Sequence, residues 1–478
     1  MAFLSVEFII LLAVTFFLYA FSAIRCRNWY LLAASMIFIG WNNLSYLLVA
    51  LMGICVSYTG ALYVHKYKND EKKSKIAYLA TLSILLSTWI LVHNADCLIW
   101  LLQITTGSVD SSAVLHNLLY PLGMSFYTFQ AIGYLTDVYW QEDEPEKNLL
   151  DFSLYMLLFF KFLSGPIERF GDLIGQIRTP QPFKYENTVY GLKLICLGMM
   201  KKLLIANYLS PYTSEIFSNI NDTLGLQLLM VALIYPIELY TDFSGYTDMA
   251  MGGARMFGIK LTPNFNFPFS AQSTTDLWRR WHMSLSFWVR DYLFVPLTAS
   301  LRSWKSAGIY VSLLVTFSLL GLWHGIGLPF LIYGLIQGLL ICWEMRTQNV
   351  RRRFEQILGK KLASSFFVFR TYVLFAFSLI FFKAETLSDA LLFFSRLSFS
   401  PLHSWKEMNI GMSDHFCLVA GLSFLALMIY EHYSVYTDLI DRSKNLPLWA
   451  RWSIYFSLVF TLFSLGMFQN DNFIYLQF

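Results

Sequence analysis

The chain has 478 residues, 56% hydrophobic and 14% charged, with a mean hydropathy of +0.50 and a formal net charge of +4. Soluble domains carry roughly 25% charged residues, so this balance excludes a soluble globular protein and identifies an integral membrane protein. It also argues against nucleic-acid binding, because no soluble basic domain is present to bear it.

Apolar windows near the roughly 20 residues of a bilayer span recur at 3–24, 29–64, 76–102, 112–136, 149–163, 189–209, 224–240, 307–320, 326–345, 366–382, 414–431 and 450–470. Some are too long or too short for one span, and together they predict about 11–13 transmembrane or re-entrant helices. A membrane barrel would need alternating segments, so the fold class is all-α. The first window lacks a basic n-region and a small-residue cleavage site, and Val6 to Ala23 reads as a retained anchor. Arg25 and Arg27, HKYKNDEKKSK (65–75) and RTQNVRRRFEQILGKK (346–361) are the basic loops that the positive-inside rule assigns to the cytoplasmic face. Residues 29–64 must then enter and return, with a turn at Gly40-Trp41-Asn42-Asn43 between two short helices. The six cysteines, Cys26, Cys55, Cys97, Cys196, Cys342 and Cys417, form no CxxC pair and read as packing residues, with no metal site expected. In SFYTFQ, the polar groups Ser125, Tyr127, Thr128 and Gln130 either bond between helices or line a tunnel. QEDEPEK (141–147) reads as a charged turn.

In the middle of the chain hydropathy drops without a soluble domain appearing. TDFSGYTD places Asp242 and Asp248 near an apolar span, along with Glu238. Buried charges are expected to be paired, here with Arg255, Arg279 or Arg280. The stretch Pro263 to Thr275, containing Asn264 and Pro268, cannot span and reads as an irregular segment supported by protein or a cavity. Thr274 or Thr275 is then expected to cap a helix ending near Pro296. On that helix Trp278, Trp281, His282, Leu285, Trp288, Val289 and Tyr292 share one arc, with Arg279, Ser284, Arg290 and Asp291 outside it. Taken alone, the pattern fits an interfacial helix, which can also wall a cavity. GLWHG (321–325) sets His324 at the end of an apolar run. A lone membrane histidine can simply pack, but Gly321 and Gly325 permit close approach, and Gly327 and Pro329 break the helix beyond. Tyr333 and Gln337, four apart, share a face and are candidates to line the same space as His324.

WRRWHMSLSFWVRDYLFVPL (278–297), GLWHG (321–325), YTDFSGYTDMAMG (240–252), NFNFPFS (264–270), YPLGMSFYTFQAIGYLTDVY (120–139) and FFKFLSGPIERF (159–170) together resemble the signatures of the membrane-bound O-acyltransferase family. The resemblance is strongest to its bacterial branch typified by alginate O-acetyltransferases. It implies one multi-span domain over 1–478 with a central tunnel: N-terminal helices at 1–118, a core at 119–345, and C-terminal helices with the FIYLQF tail at 346–478.

The resemblance further implies that His324 is catalytic with His282 as its partner. Trp281, Trp323, Gln130, Tyr333, Gln337 and Asn264 would bind substrate or line the tunnel, with Asp291 and Arg290 behind the histidines. Histidine suits the chemistry, since O-acylation needs a base near neutral pH to take the acceptor hydroxyl's proton as it attacks a thioester. The implied reaction moves an acetyl group from a cytosolic thioester, acetyl-CoA, to an exported polysaccharide or envelope glycan. No bound cofactor is expected. The implied partners are the cell-membrane bilayer and an extracytoplasmic transferase or acceptor-binding protein. D-alanyl transfer from an acyl-carrier protein to teichoic acid is the alternative. Tyr475 is a candidate acyl carrier, because tyrosine can form covalent intermediates. Two departures from the pattern bear on the acceptor: Leu297-Thr298-Ala299-Ser300 replaces a Gly-Gly turn, and Leu328 and Gln337 stand where relatives place Trp and His. A transporter coupled through Glu238, Asp242 and Asp248 would call for two related halves, yet each motif occurs once; a non-catalytic scaffold would not need the two histidines.

Overall fold

The computed structural model describes residues 3–41, 43–93, 123–163, 165–325, 327–398 and 413–468, and no strand occurs among them. Seven described helices are long and apolar enough to cross a membrane: Leu44–Lys66, Gly225–Met256, Ser306–His324, Leu328–Arg346, Lys360–Lys383, Asp414–Ser434 and Leu448–Leu465. Val6–Phe21 is a shorter apolar helix. Two expected spans are interrupted. The 149–163 window is split into Leu149–Leu157 and Phe159–Phe162. The 189–209 window holds two buried lysines and a π-helical turn at Lys202–Ala206. The windows at 76–102 and 112–136 run partly outside the described residues, as does Cys97.

The chain divides into two compact units, residues 1–195 with 249–262 and residues 196–248 with 263–478. This division follows packing, whereas the expected boundaries at 118 and 345 followed the motifs.

In the first unit, the helices Arg27–Gly40 and Leu44–Lys66 are separated near the expected turn, and the second is long and apolar enough for a full span rather than short. The Asn43 side chain caps that span by accepting from the Ser45 amide at 2.9 Å. Arg27, expected in a basic loop, is engaged within the protein. It is buried, donates to the Gln181 carbonyl at 2.5 Å and lies over the Tyr19 ring. The 141–147 segment is also more than a charged turn. Glu146 is buried, accepts from the amides of Lys147 and Asn148 at 2.9 Å each, and pairs with Arg178 at 2.6 Å.

In the second unit, Asp242 and Asp248 of the Gly225–Met256 helix are paired as buried charges must be, but with lysines rather than the expected arginines. Lys201 pairs with Asp248 at 2.7 Å, and Lys202 pairs with Asp242. Consecutive residues on a regular α-helix point about 100° apart; here the π turn begins at Lys202, and both lysines are buried. Glu238 accepts from the Thr213 hydroxyl at 2.5 Å, and the Tyr240 hydroxyl bonds Glu431. Arg280 instead pairs within its own segment, with Asp276 at 2.9 Å.

Candidate active site

The helix expected from Thr274 to Pro296 is broken at the histidine. Ser273 caps Thr274–Trp278, the chain turns through 279–282, and a second helix, Met283–Val289, leads into a π turn at Arg290–Phe294. His282 is the N-cap of the second helix, with φ 45° and ψ 53°. That left-handed conformation is uncommon for a residue bearing a Cβ, and tertiary bonds hold it in place. The NFNFP segment runs alongside, with the Met283 amide donating to the Asn264 carbonyl and the Asn266 amide to the Arg280 carbonyl, both at 2.9 Å. The common arc drawn across 278–292 therefore does not exist as one helical face.

Asn264 is the residue that organises His282. Its Oδ1 accepts from the Ser284 amide at 3.1 Å and the Ser284 hydroxyl at 2.9 Å, and lies 3.1 Å from His282 Nδ1. Because a backbone N–H donates to it, the contacted atom must be the amide oxygen, so Nδ1 carries its proton and Nε2 bears the lone pair of the neutral ring. The same oxygen caps the helix: Ser284 is its second residue, whose amide has no intrahelical partner. A His282 side chain cannot cap in the usual way, and a distant asparagine supplies the acceptor. His282 lies outside the seven spanning helices. Burial, reinforced by the nearby His324, pushes its imidazole well below the ordinary range.

His324 is the last residue of Ser306–His324, and its Nδ1–H donates to the Leu320 carbonyl at 2.8 Å. This bond too directs the lone pair to Nε2. The helix stops at an extended Gly325 and the next begins at Leu328 with Pro329 in its first turn, the expected break. Gly321 brings the two helices together. A Cβ there would lie 2.2 Å from the Phe330 carbonyl oxygen and 3.1 Å from the Gly334 Cα. Only a bare backbone permits that approach, so this glycine meets a helix rather than a ligand.

The two imidazoles are buried, and Trp323 packs against both. Its ring centroid is 4.6 Å from that of His324 and 6.4 Å from that of His282. Phe243 lies edge-on to His282 at 4.7 Å, Phe382 to His324 at 5.2 Å, and Tyr333 to His324 at 6.3 Å. The second unit thus gathers His282, His324, Trp323, Asn264 and Tyr333. Gln337 lies on a buried face of the same helix as Tyr333, but its oxygen accepts from Trp278 Nε1 at 3.1 Å and its nitrogen donates to Ser378 at 2.7 Å. Trp281 packs among Phe265 and Phe375, at 5.3 and 5.1 Å. Arg290 and Asp291 bond each other at 2.6 and 3.1 Å, with the arginine side chain 56% exposed. The support expected of them behind the histidines is supplied to His282 by Asn264. Gln130 belongs to the first unit, where it accepts from Lys161 at 2.5 Å and donates to the Tyr155 carbonyl at 2.8 Å. Tyr475 and the FIYLQF tail lie outside the described residues.

Sequence reasoning passed over Lys201 and Lys202. Two adjacent lysines inside the apolar run CLGMMKKLLIA were the available signal, since intramembrane charge implies a buried partner.

Residues 145–384 match the family model of MBOAT, the membrane-bound O-acyltransferase family. Over 425 residues the chain is 31% identical to a probable alginate O-acetylase of Pseudomonas aeruginosa, covering 87% of this chain and 78% of the relative. The chain belongs to the membrane-bound O-acyltransferase family. Within it, the chain is also 30% identical over 405 residues to a peptidoglycan O-acetyltransferase of Helicobacter pylori, covering 78% of this chain and 74% of the relative. To a teichoic acid D-alanyltransferase of Bacillus subtilis it is 33% identical over 237 residues, covering 47% of this chain and 59% of the relative. Membership makes the protein a membrane-embedded O-acyltransferase.

Proposed function

We propose that this acyltransferase moves an acetyl group from acetyl-CoA, supplied at the cytoplasmic face, onto a hydroxyl of an exported polysaccharide or cell-envelope glycan. The observation that carries the reading is the pair of buried imidazoles about Trp323, both with Nε2 lone pairs. His324 Nε2 takes the proton of the acceptor hydroxyl as its oxygen bonds the thioester carbonyl carbon. The carbon–sulfur bond then breaks and the proton passes to the leaving thiolate, giving ester and free thiol. His282, held by Asn264, orients the acyl group. Burial of this centre excludes the water that would otherwise hydrolyse the donor.

Two of the relatives are named as a probable alginate O-acetylase and a peptidoglycan O-acetyltransferase, which supports a polymer acceptor. Such an acceptor lies across the cell membrane from the donor, so an extracytoplasmic transferase or acceptor-binding protein is the natural partner. D-alanyl transfer from a carrier protein is supported by a match to less of the chain. The test is CoA release from radiolabelled acetyl-CoA by purified protein with its membrane and acceptor fraction. His324→Ala should lower turnover at least 100-fold, the lower range for loss of a general base, with folding intact. Turnover equal to wild type would overturn the assignment of His324, and transfer from a D-alanyl carrier but not acetyl-CoA would overturn the donor.

A further inference from the structure

The basic segment 346–361, expected as a loop, contains a helix, Gln348–Leu358, joining the spanning helices Leu328–Arg346 and Lys360–Lys383. Its ends are tied to two spans, so it lies at one membrane face. At about 100° per residue, Val350, Phe354, Ile357 and Leu358 form one side, Arg352 stands opposite and Arg353 lies on the flank. The apolar side is anchored at one point: the Phe354 ring packs on Phe366 and Phe367 at 4.9 and 5.7 Å. Arg351 joins that contact, lying over the Phe367 ring and donating to the Gln272 carbonyl at 3.1 Å.

The rest of the apolar side is uncovered. Val350 is 64% exposed and Ile357 81%. Phe366 also belongs to the exposed apolar stripe Leu362, Phe366, Phe369 of the adjoining span, whose spacing marks one helix face. On such a span that face meets hydrocarbon, so Val350 and Ile357 continue a lipid-facing surface to its edge. Residues 346–361 carry six basic side chains against the single acid Glu355. An amphipathic helix with an apolar face at the hydrocarbon boundary and cations on its other side has the chemistry of an anionic membrane surface.

We propose that the Gln348–Leu358 helix lies in the headgroup layer and binds anionic phospholipid, Arg352 and Arg353 meeting lipid phosphates while Val350 and Ile357 enter the acyl region. Both arginines are exposed, so their replacement should leave the fold intact. The test uses purified full-length protein in zwitterionic detergent, titrated with phosphatidylglycerol or phosphatidylcholine. Bound lipid is counted by native mass spectrometry, and thermal stability is followed in parallel. Wild type should retain phosphatidylglycerol in preference and be stabilised by it. Arg352→Gln with Arg353→Gln should weaken that retention about 30-fold, the loss of two surface cations, with lipid-free stability unchanged. Ile357→Asn, which leaves every charge in place, should weaken retention of both lipids. Equal retention of the two lipids by wild type, or unchanged phosphatidylglycerol retention in the double variant, would overturn the proposal. So would displacement of the lipid by inorganic phosphate or free CoA, which would make the cluster a site for a soluble anion.

Discussion

Replacing Asn264 by alanine removes one oxygen on which three contacts converge: the His282 ring nitrogen, the Ser284 amide and the Ser284 hydroxyl. Asn264 is fully buried, so water does not readily take its place. At about 1 kcal/mol net per bond, Asn264→Ala should cost about 3 kcal/mol. The figure is a lower bound where the stranded donors stay dry. Ser284→Ala removes the hydroxyl contact alone and should cost about 1 kcal/mol by the same reckoning. The double variant should then cost about 3 rather than 4 kcal/mol, leaving a coupling of about 1 kcal/mol. The assay is reversible denaturation in mixed micelles followed by tryptophan fluorescence, across the four proteins of the cycle. Additivity within error, or an Asn264→Ala cost below about 1 kcal/mol, would refute the view that one oxygen caps the helix and fixes the ring together.

Three further outcomes follow from separate features. Gly321→Ala should destabilise by about 1–3 kcal/mol, since its Cβ would meet the Phe330 carbonyl at 2.2 Å, whereas Gly421→Ala, with nothing within 4 Å, should gain up to about 1 kcal/mol in its helix; paired melting curves decide it. Lys202→Met should cost about 3–5 kcal/mol by stranding Asp242, and Lys202→Met with Asp242→Leu should cost less than the single change, as read by denaturant midpoints. For His282, the folded-state pKa is lowered by burial, so the unfolded chain binds more protons and stability rises with pH. Its contribution should be whole above the unfolded value of about 6.5 and fade as pH falls toward the folded value. Wild type should therefore lose stability relative to His282→Gln between about pH 7.5 and 5, and a constant difference across that range would contradict the sign.

Hydropathy made the spanning helices legible, because a bilayer imposes length and apolarity on each one locally. The histidines were legible too: His324 by its contrast with the run around it, His282 by the motif that contains it. Less visible was the break at His282. WRRWHMSLSFW holds no proline or glycine at that point, and what stops the helix is a set of bonds from residues 264–266, a tertiary cause. Ion-pair partners were hidden for a related reason. Asp242 and Asp248 had arginines nearby in sequence, but the π turn at Lys202–Ala206 and the pairing of Lys201 and Lys202 with these acids belong to the packed second unit. The bond of Arg27 to the Gln181 carbonyl, 154 residues away in sequence, was hidden in the same way.

His324 hangs its Nδ1–H on a backbone carbonyl. A carboxylate there would stabilise an imidazolium by opposing its charge, whereas a carbonyl offers only a dipole. In the mechanism proposed above, a proton captured at Nε2 of this ring is therefore held at high energy and is surrendered to the first adequate acceptor, the departing sulfur of the proposed thioester donor. A base of this kind has little capacity to store the proton between substrates, so the proposed mechanism calls for the hydroxyl and the thioester to be present together. The kinetic signature expected of the proposed mechanism is a sequential, ternary-complex rate law, with isotope exchange between donor and free thiol suppressed until acceptor is added.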